Sequence, residues 1–278
     1  MSEAPSAAIP ARAFATRAQL LFALFLVATL NGFVGTAVRT LTADGWLAFA
    51  DLFGISAILW TALAAGLKIL ADDERRDGWR RGDAAVAALV VAAALLPSPA
   101  ASSLALTALS AWAIVTGAPG SAVRRAGILF LALAGALFWG RLFLGLFSRP
   151  LLDIDAWFVA HVVGAAQRGN LIWSDGFRLI VGAGCSSIHG LSLALLFWAT
   201  VNQYYRVRFG WTPLFVCLAA LAATVAVNVA RMAAMLRWPA HFQEIHVGWG
   251  YYAANWATLI LVAAICLAGA RRDVFAAH

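Results

Sequence analysis

The sequence predicts an all-α integral membrane protein that crosses the bilayer several times. Of its residues 63% are hydrophobic and only 12% are charged, and the mean hydropathy is +0.83. Soluble domains are usually about 45–50% apolar and about 25% charged. The apolar residues also gather into runs of near-spanning length, and most basic residues lie in loops on one predicted side. These three observations exclude an ordinary soluble domain.

Eight apolar runs predict eight transmembrane helices, because each is close to the roughly 20 residues that a spanning helix needs. The third and fourth are separated only by "PSPAASS", which predicts a tight helical hairpin. No persuasive cleavage site follows the first run, so we interpret it as a retained span. The runs cover about 18–38, 47–69, 84–100, 102–118, 127–147, 187–204, 212–234 and 250–270.

The basic residues predict that both termini are cytoplasmic, because short cytoplasmic loops are enriched in Lys and Arg. The same pattern makes nucleic-acid binding a poor explanation of the net charge of +7, since the charges are divided among short loops. With the N-terminus inside, the cytoplasmic segments hold Arg12, Arg17, Lys68, Arg75, Arg76, Arg80, Arg81, Arg124, Arg125, Arg206, Arg208, Arg271 and Arg272.

The chain divides at one long polar segment on the outer side. Residues 1–147 are predicted to form about five spans, and residues 148–278 to form an outer amphipathic segment and three spans. Within 148–186, an amphipathic stretch at 152–166 is expected to lie on the membrane interface. The stretch "NLIWSDGFRLIV" is expected to form an extended or hairpin element.

Three reactive residues are predicted to meet at the outer surface. Cys185 begins the sixth span, Arg231 ends the seventh, and His246 precedes the eighth, so the up-down topology brings them to one depth. Helix N-termini and nearby cations favour a thiolate. A histidine can accept the thiol proton, and an arginine can stabilise an oxyanion. Together these residue types indicate acyl transfer or proteolysis.

Other interpretations of these residues remain open. His189 and His241 compete with His246 as the base, and His189 is one helical turn after Cys185, which would place both on one face. Cys185, His189, His241 and His246 also form an alternative zinc set. A buried cysteine can be simple packing, and an arginine at a helix end can extend to the interface.

No cofactor is predicted. The three cysteines include no CxxC pair, so neither a disulfide framework nor a zinc ribbon is indicated. Cys217 and Cys266 lie toward the cytoplasmic half and are interpreted as small apolar core residues.

The C-terminal part, about 150–270, resembles the exosortase/archaeosortase family of membrane-embedded cysteine transpeptidases. The resemblance is carried by "GCSSIHGLSLALLF", by "NVARM" at the end of the next helix, and by "HVGWG" before the last one. It implies Cys185 as nucleophile, Arg231 as transition-state stabiliser and His246 as general base. The sequence departs from the family pattern at Ser187, where glycine is usual, and at Met232.

The resemblance also implies a substrate and a location. Substrates of such enzymes carry a C-terminal recognition motif (Pro-Glu-Pro in the bacterial branch), a transmembrane helix and a basic cluster. Cleavage would proceed through a thioester at the outer face of the bacterial inner membrane, in systems tied to exopolysaccharide. The residues expected to contact the substrate are Ser186, Asn228, Arg178, Arg237 and His241.

Two other functions remain open at this point. The same three residues would serve an acyltransferase or peptidase that acts on a lipid or polysaccharide intermediate. From a different class, the chain would be a non-catalytic membrane component of a polysaccharide export assembly.

Overall fold

The computed structural model describes residues 16–49, 52–96, 98–174 and 176–275, and these residues are mostly helical. The N-terminal stretch with Arg12 lies outside them. Five helices are long and apolar enough to cross a membrane, which confirms the predicted membrane character: Arg17–Phe49, Pro99–Thr116, Ala122–Leu146, Trp211–Arg237 and Trp249–Arg271.

Eleven α-helices and three short strands are named in chain order within this part of the chain. A π-helical turn, Gly135–Trp139, joins α5 and α6 into one span. The helices are α1 (Arg17–Asp44), α2 (Ala57–Ala71), α3 (Asp83–Ala94), α4 (Pro99–Thr116), α5 (Ala122–Ala134), α6 (Gly140–Leu146), α7 (Ser148–Val163), α8 (Ile188–Tyr204), α9 (Trp211–Arg237), α10 (Phe242–His246) and α11 (Trp249–Phe275). The strands are β1 (Ala166–Arg168), β2 (Leu171–Ser174) and β3 (Phe177–Ile180).

The second predicted span starts later than the hydropathy indicates. We expected a helix from residue 47, but α2 begins at Ala57 after two short 3₁₀ turns. Leu52, Phe53 and Gly54 all have positive φ, a conformation that ends a right-handed helix. Ser56 then starts α2, because its hydroxyl accepts a hydrogen bond from the Ile58 amide. Hydropathy reports apolar character and is blind to this break.

The predicted hairpin between the third and fourth runs is confirmed, with α3 and α4 packed together. Its open end, at the start of α3, is held by a buried ion pair between Arg17 and Asp83, whose side chains are 3% and 0% exposed. The Asp83 carboxylate also accepts hydrogen bonds from the Trp112 indole and the Arg80 amide. Arg17 additionally donates to Thr116. Four segments are therefore joined at one point.

The main apolar core lies among α1 to α5 and includes Leu196 of α8. Phe25 and Phe130 stack there with ring centroids 4.1 Å apart. A second cluster joins α8, α9 and α11. Because α8 packs against α2 and α5 as well as α9 and α11, it connects the two predicted parts of the chain.

The outer segment contains both a helix and a small sheet, so the fold is mostly rather than purely helical. The amphipathic prediction corresponds to α7, and the hairpin prediction is confirmed by the antiparallel pair β2–β3. The additional strand β1 pairs with β2 and was not predicted. A third apolar cluster joins α7, the sheet and the end of α9, and it includes Cys185. The candidate site is built on this cluster, because Cys185 is one of its members.

Candidate functional site

Cys185 lies in a 3₁₀ turn, Ala183–Cys185, and not on α8 itself. The first residue of α8 is Ile188, so Cys185 and His189 do not share a helical face as we expected. This turn lies between β3 and α8. Cys185 is 4% exposed and packs within the third apolar cluster.

The Cys185 thiol is in hydrogen-bond reach of an imidazole. Its Sγ atom lies 3.6 Å from Nδ1 of His246, although 61 positions separate the two residues. His246 is the last residue of α10, a single helical turn between α9 and α11. Its ring stacks on Phe242 at a centroid distance of 5.2 Å, and Phe242 contacts Phe177 of β3 at 5.7 Å. These aromatic contacts fix the plane of the imidazole.

Arg231 occupies the outer end of α9 beside this pair. It is 8% exposed, and its guanidinium donates to the backbone oxygen of His246 at 3.4 Å and to Oδ1 of Asn228 at 3.1 Å. The guanidinium also lies 5.6 Å from the centre of the Tyr251 ring, within cation–π range. Arg231 is therefore held by α9, α10 and α11 together.

Asn228 connects the cysteine turn to Arg231. Its Nδ2 atom donates to the carbonyl oxygen of Cys185 at 2.7 Å and to Oγ of Ser187 at 3.0 Å, while its Oδ1 accepts from Arg231. The amide can be oriented in only one way, because both of its hydrogens and its oxygen have matching partners. Asn228 thus contacts the protein's own turn in this structure.

Asp155 is a site residue that the sequence interpretation missed. This carboxylate on α7 is 5% exposed and accepts hydrogen bonds from both the amide and the hydroxyl of Ser187, at 3.0 and 2.7 Å. The signal was available: Leu152, Ala156 and Val159 form the buried face of α7, and Asp155 lies on the same face. A carboxylate on an apolar face needs specific partners, so its position was informative.

The backbone amides of Cys185 and of the two residues after it are occupied by hydrogen bonds. The amide of Cys185 bonds to the Gly182 oxygen at 2.9 Å and that of Ser186 to the Ala183 oxygen at 3.3 Å. The amide of Ser187 bonds to Asp155. None of these three N–H groups points to an open position, so oxyanion stabilisation here would have to come from side chains.

The other predicted substrate residues are spread around this cluster. Ser186 is buried, and its hydroxyl accepts from the Ile188 amide. Arg178 is exposed on β3 opposite Trp173, and Arg237 is exposed at the end of α9.

His241 and His189, the two other histidines considered as the base, do not join Cys185. His241 is exposed and pairs with Glu244 at 2.9 Å, and His189 is exposed on α8. Among residues 16–49, 52–96, 98–174 and 176–275, no group of three or more His, Cys, Asp or Glu side chains is placed to hold a metal ion. The alternative zinc set of Cys185, His189, His241 and His246 is therefore wrong.

Comparisons of the chain with protein-family models, with curated proteins and with solved structures gave no match. The likeness to the exosortase/archaeosortase family rests on the three sequence motifs.

Proposed function

We propose that this protein is a membrane-embedded cysteine peptidase or transpeptidase of the exosortase type, with Cys185, His246 and Arg231 as its catalytic residues. The observation that carries the proposal is the 3.6 Å approach of Cys185 Sγ to His246 Nδ1, between residues far apart in sequence. A nucleophile within hydrogen-bond reach of a base, with the base oriented by further contacts, is the general signature of covalent catalysis.

The chemistry follows from this pair. The Sγ proton passes to His246 Nδ1, and the thiolate attacks the carbonyl carbon of a peptide bond. The tetrahedral intermediate collapses, the C–N bond breaks, and the imidazolium gives its proton to the leaving amine. The acyl group remains on Cys185 as a thioester. Attack by water or by an acceptor amine or hydroxyl then releases the product and returns the proton to sulfur.

Arg231 is the side chain best suited to stabilise the oxyanion. The amides of Cys185, Ser186 and Ser187 are occupied within the turn, and a guanidinium has five N–H donors, of which the hydrogen bonds described above use two. Its low exposure places its charge in a region of low dielectric, where such stabilisation is strongest.

In the proposed topology the chain crosses the bacterial inner membrane eight times, with both termini cytoplasmic and the site facing outward. The crossings are α1, α2, α3, α4, α5 with α6, α8, α9 and α11. The helices α2 and α3 are shorter than a full span, and local thinning of the bilayer would accommodate them.

The proposed substrate is a protein with a C-terminal recognition motif, a transmembrane helix and a basic cluster. Its helix would dock beside α8, α9 and α11 and present the motif at the outer surface, a proximity effect that accelerates acyl transfer. Arg178, Arg237 and His241 are exposed there and are proposed to contact the motif, of which an acidic residue would pair with either arginine. Ser186 is proposed to contact the scissile region, whereas Asn228, expected to do the same, is bonded to the cysteine turn and is proposed to position it.

The proposal is tested by replacing Cys185 in cells that also make a reporter with such a C-terminal signal. Cys185→Ala and Cys185→Ser should lower processing at least about a thousandfold, as loss of a nucleophile does in hydrolases. Cys217→Ala, which removes a buried cysteine of α9, is the matched control and should process normally. If Cys185→Ala processes the reporter normally at unchanged protein abundance, Cys185 is not the nucleophile. That result would favour a non-catalytic component of a polysaccharide export assembly.

A further inference from the structure

We infer that Asp155 is a positioning residue for the nucleophile, which it holds against His246 through Ser187 and Asn228. The inference rests on the proposed function in taking Cys185 as the nucleophile. Asp155 lies on α7, outside the three motifs. Ser187 is the residue that this chain has where glycine is usual in the family.

A chain of hydrogen bonds connects Asp155 to Cys185. Asp155 accepts from the amide and hydroxyl of Ser187, and the same hydroxyl accepts from Asn228 Nδ2. Asn228 Nδ2 also donates to the carbonyl of Cys185. The backbone from the Cys185 carbonyl to Ser187, directly after the residue that carries Sγ, is thus held from both α7 and α9.

Each hydrogen bond in this chain has a defined donor and acceptor. The Ser187 hydroxyl donates to Asp155, which leaves its lone pairs to accept from Asn228, and a carboxylate is the group that accepts from both donors of Ser187. An asparagine at position 155 has one oxygen only. Its amide nitrogen would face either the Ser187 N–H, donor to donor, or the Ser187 hydroxyl, whose proton would then lose its acceptor.

The proposed chemistry requires an accurate position of the Cys185 thiol. Proton transfer from Cys185 to His246 depends on a hydrogen-bond distance, and misplacement of about 1 Å can cost about a hundredfold in rate. Burial makes the clamp strong, because Asp155 and Ser187 are 5% and 4% exposed and water cannot replace their hydrogen bonds. Loss of one bond should therefore move the turn.

The experiment measures alkylation of Cys185 by iodoacetamide in purified full-length protein. Cys217→Ala and Cys266→Ala are present in every sample, so that Cys185 is the single cysteine. Rates are taken at about pH 7, where deprotonation needs the imidazole, and at about pH 10, above the ordinary thiol pKa of about 8.5. The rate at the lower pH divided by the rate at the higher pH reports assistance by His246, since a change in the accessibility of Cys185 alters both rates alike.

Asp155→Asn should lower this ratio about tenfold, toward the value of His246→Ala. In a Ser187→Ala background, Asp155→Asn should have no further effect, because the asparagine oxygen can accept from the amide of residue 187 and no hydroxyl proton is left without an acceptor. The control Asp153→Asn changes an acid on the same helix that lies beside Gly169, and it should leave the ratio unchanged.

Two results would overturn the inference: a ratio that Asp155→Asn leaves unchanged, or one that it lowers equally with Ser187 present and in the Ser187→Ala background. The result is separable from the proposed function, because alkylation needs no protein substrate. If Cys185→Ala leaves reporter processing intact, the proposed function fails while the ratio still reports whether Asp155 acts on the thiol and imidazole.

Discussion

Asn228 shows how much of the site depends on one neutral amide. Its nitrogen binds the carbonyl of Cys185 and the hydroxyl of Ser187, and its oxygen binds Arg231. A carboxylate in the same place could still accept from Arg231. Its second oxygen, however, would face the Cys185 carbonyl and the Ser187 hydroxyl, which both accept from Asn228. The side chain therefore has to donate and accept at once, which explains an amide at this position.

Asn228→Asp should lower the free energy of unfolding by about 1–3 kcal/mol, because the Cys185 carbonyl loses its donor in a buried setting. Unfolding in detergent by denaturant, followed by circular dichroism, measures the change. The control Gln243→Glu introduces the same charge at an exposed position of α10 and should have little effect. Equal stability of Asn228→Asp and the parent protein would contradict this account of the amide.

The α3–α4 hairpin depends on a close approach between Gly82 and Trp112. A Cβ atom on Gly82 would lie against the indole ring, closer than any real contact allows. The same indole donates to Asp83, so it cannot move without loss of that hydrogen bond. The small residue before α3 thus allows the start of α3 to pack closely against the end of α4.

Gly82→Ala should therefore destabilise the protein by about 1–3 kcal/mol, the usual cost of overpacking. Gly78→Ala is the matched control, since a Cβ there meets nothing within 4 Å, and it should change stability by no more than about 0.5 kcal/mol. Thermal unfolding of both variants in detergent gives the comparison. A similar shift for the two would show that Trp112 yields freely.

At the scale of the whole molecule, two separate buried polar clusters link elements of the bundle. The buried pair Arg17–Asp83 joins α1 to α3, and the Asp155–Ser187–Asn228 contacts join α7, the cysteine turn and α9. Each polar cluster connects segments that are distant in sequence. Removal of one partner should therefore affect the bundle as a unit.

Arg17→Met should cost about 3–5 kcal/mol, because it leaves the Asp83 carboxylate buried without its cation. Lys68→Met, which removes one partner of the exposed pair Lys68–Asp72, should cost about 0–1 kcal/mol. The free energy of unfolding in detergent again provides the measure. A loss for Arg17→Met no larger than that for Lys68→Met would show that the buried pair adds nothing to stability.

Much of this arrangement was predictable because hydropathy and charge determine where a membrane chain turns. The meeting of Cys185 with His246 follows from two helix ends at one depth, and the hairpin β2–β3 follows from its alternating pattern. The late start of α2 was not predictable from hydropathy, since it depends on backbone φ at positions such as Phe53.

The role of Asn228 shows a further limit of sequence reasoning. Its place in a motif identifies it as part of the site, and we expected it to contact substrate. Which atoms it binds depends on the path of the turn between β3 and α8, which is set by tertiary packing. Asp155, by contrast, could have been found from its position on the apolar face of α7.

The burial of Cys185 has a consequence for its redox chemistry. In the proposed orientation the thiol faces an oxidising compartment, where exposed cysteines are readily converted to disulfides. Thiol–disulfide exchange needs access to sulfur, and this sulfur belongs to a residue that is 4% exposed. The other two cysteines, Cys217 and Cys266, are buried toward the opposite end of their helices. No second cysteine is within reach to form an internal disulfide with Cys185, so we expect its thiol to remain reduced without a dedicated reductase.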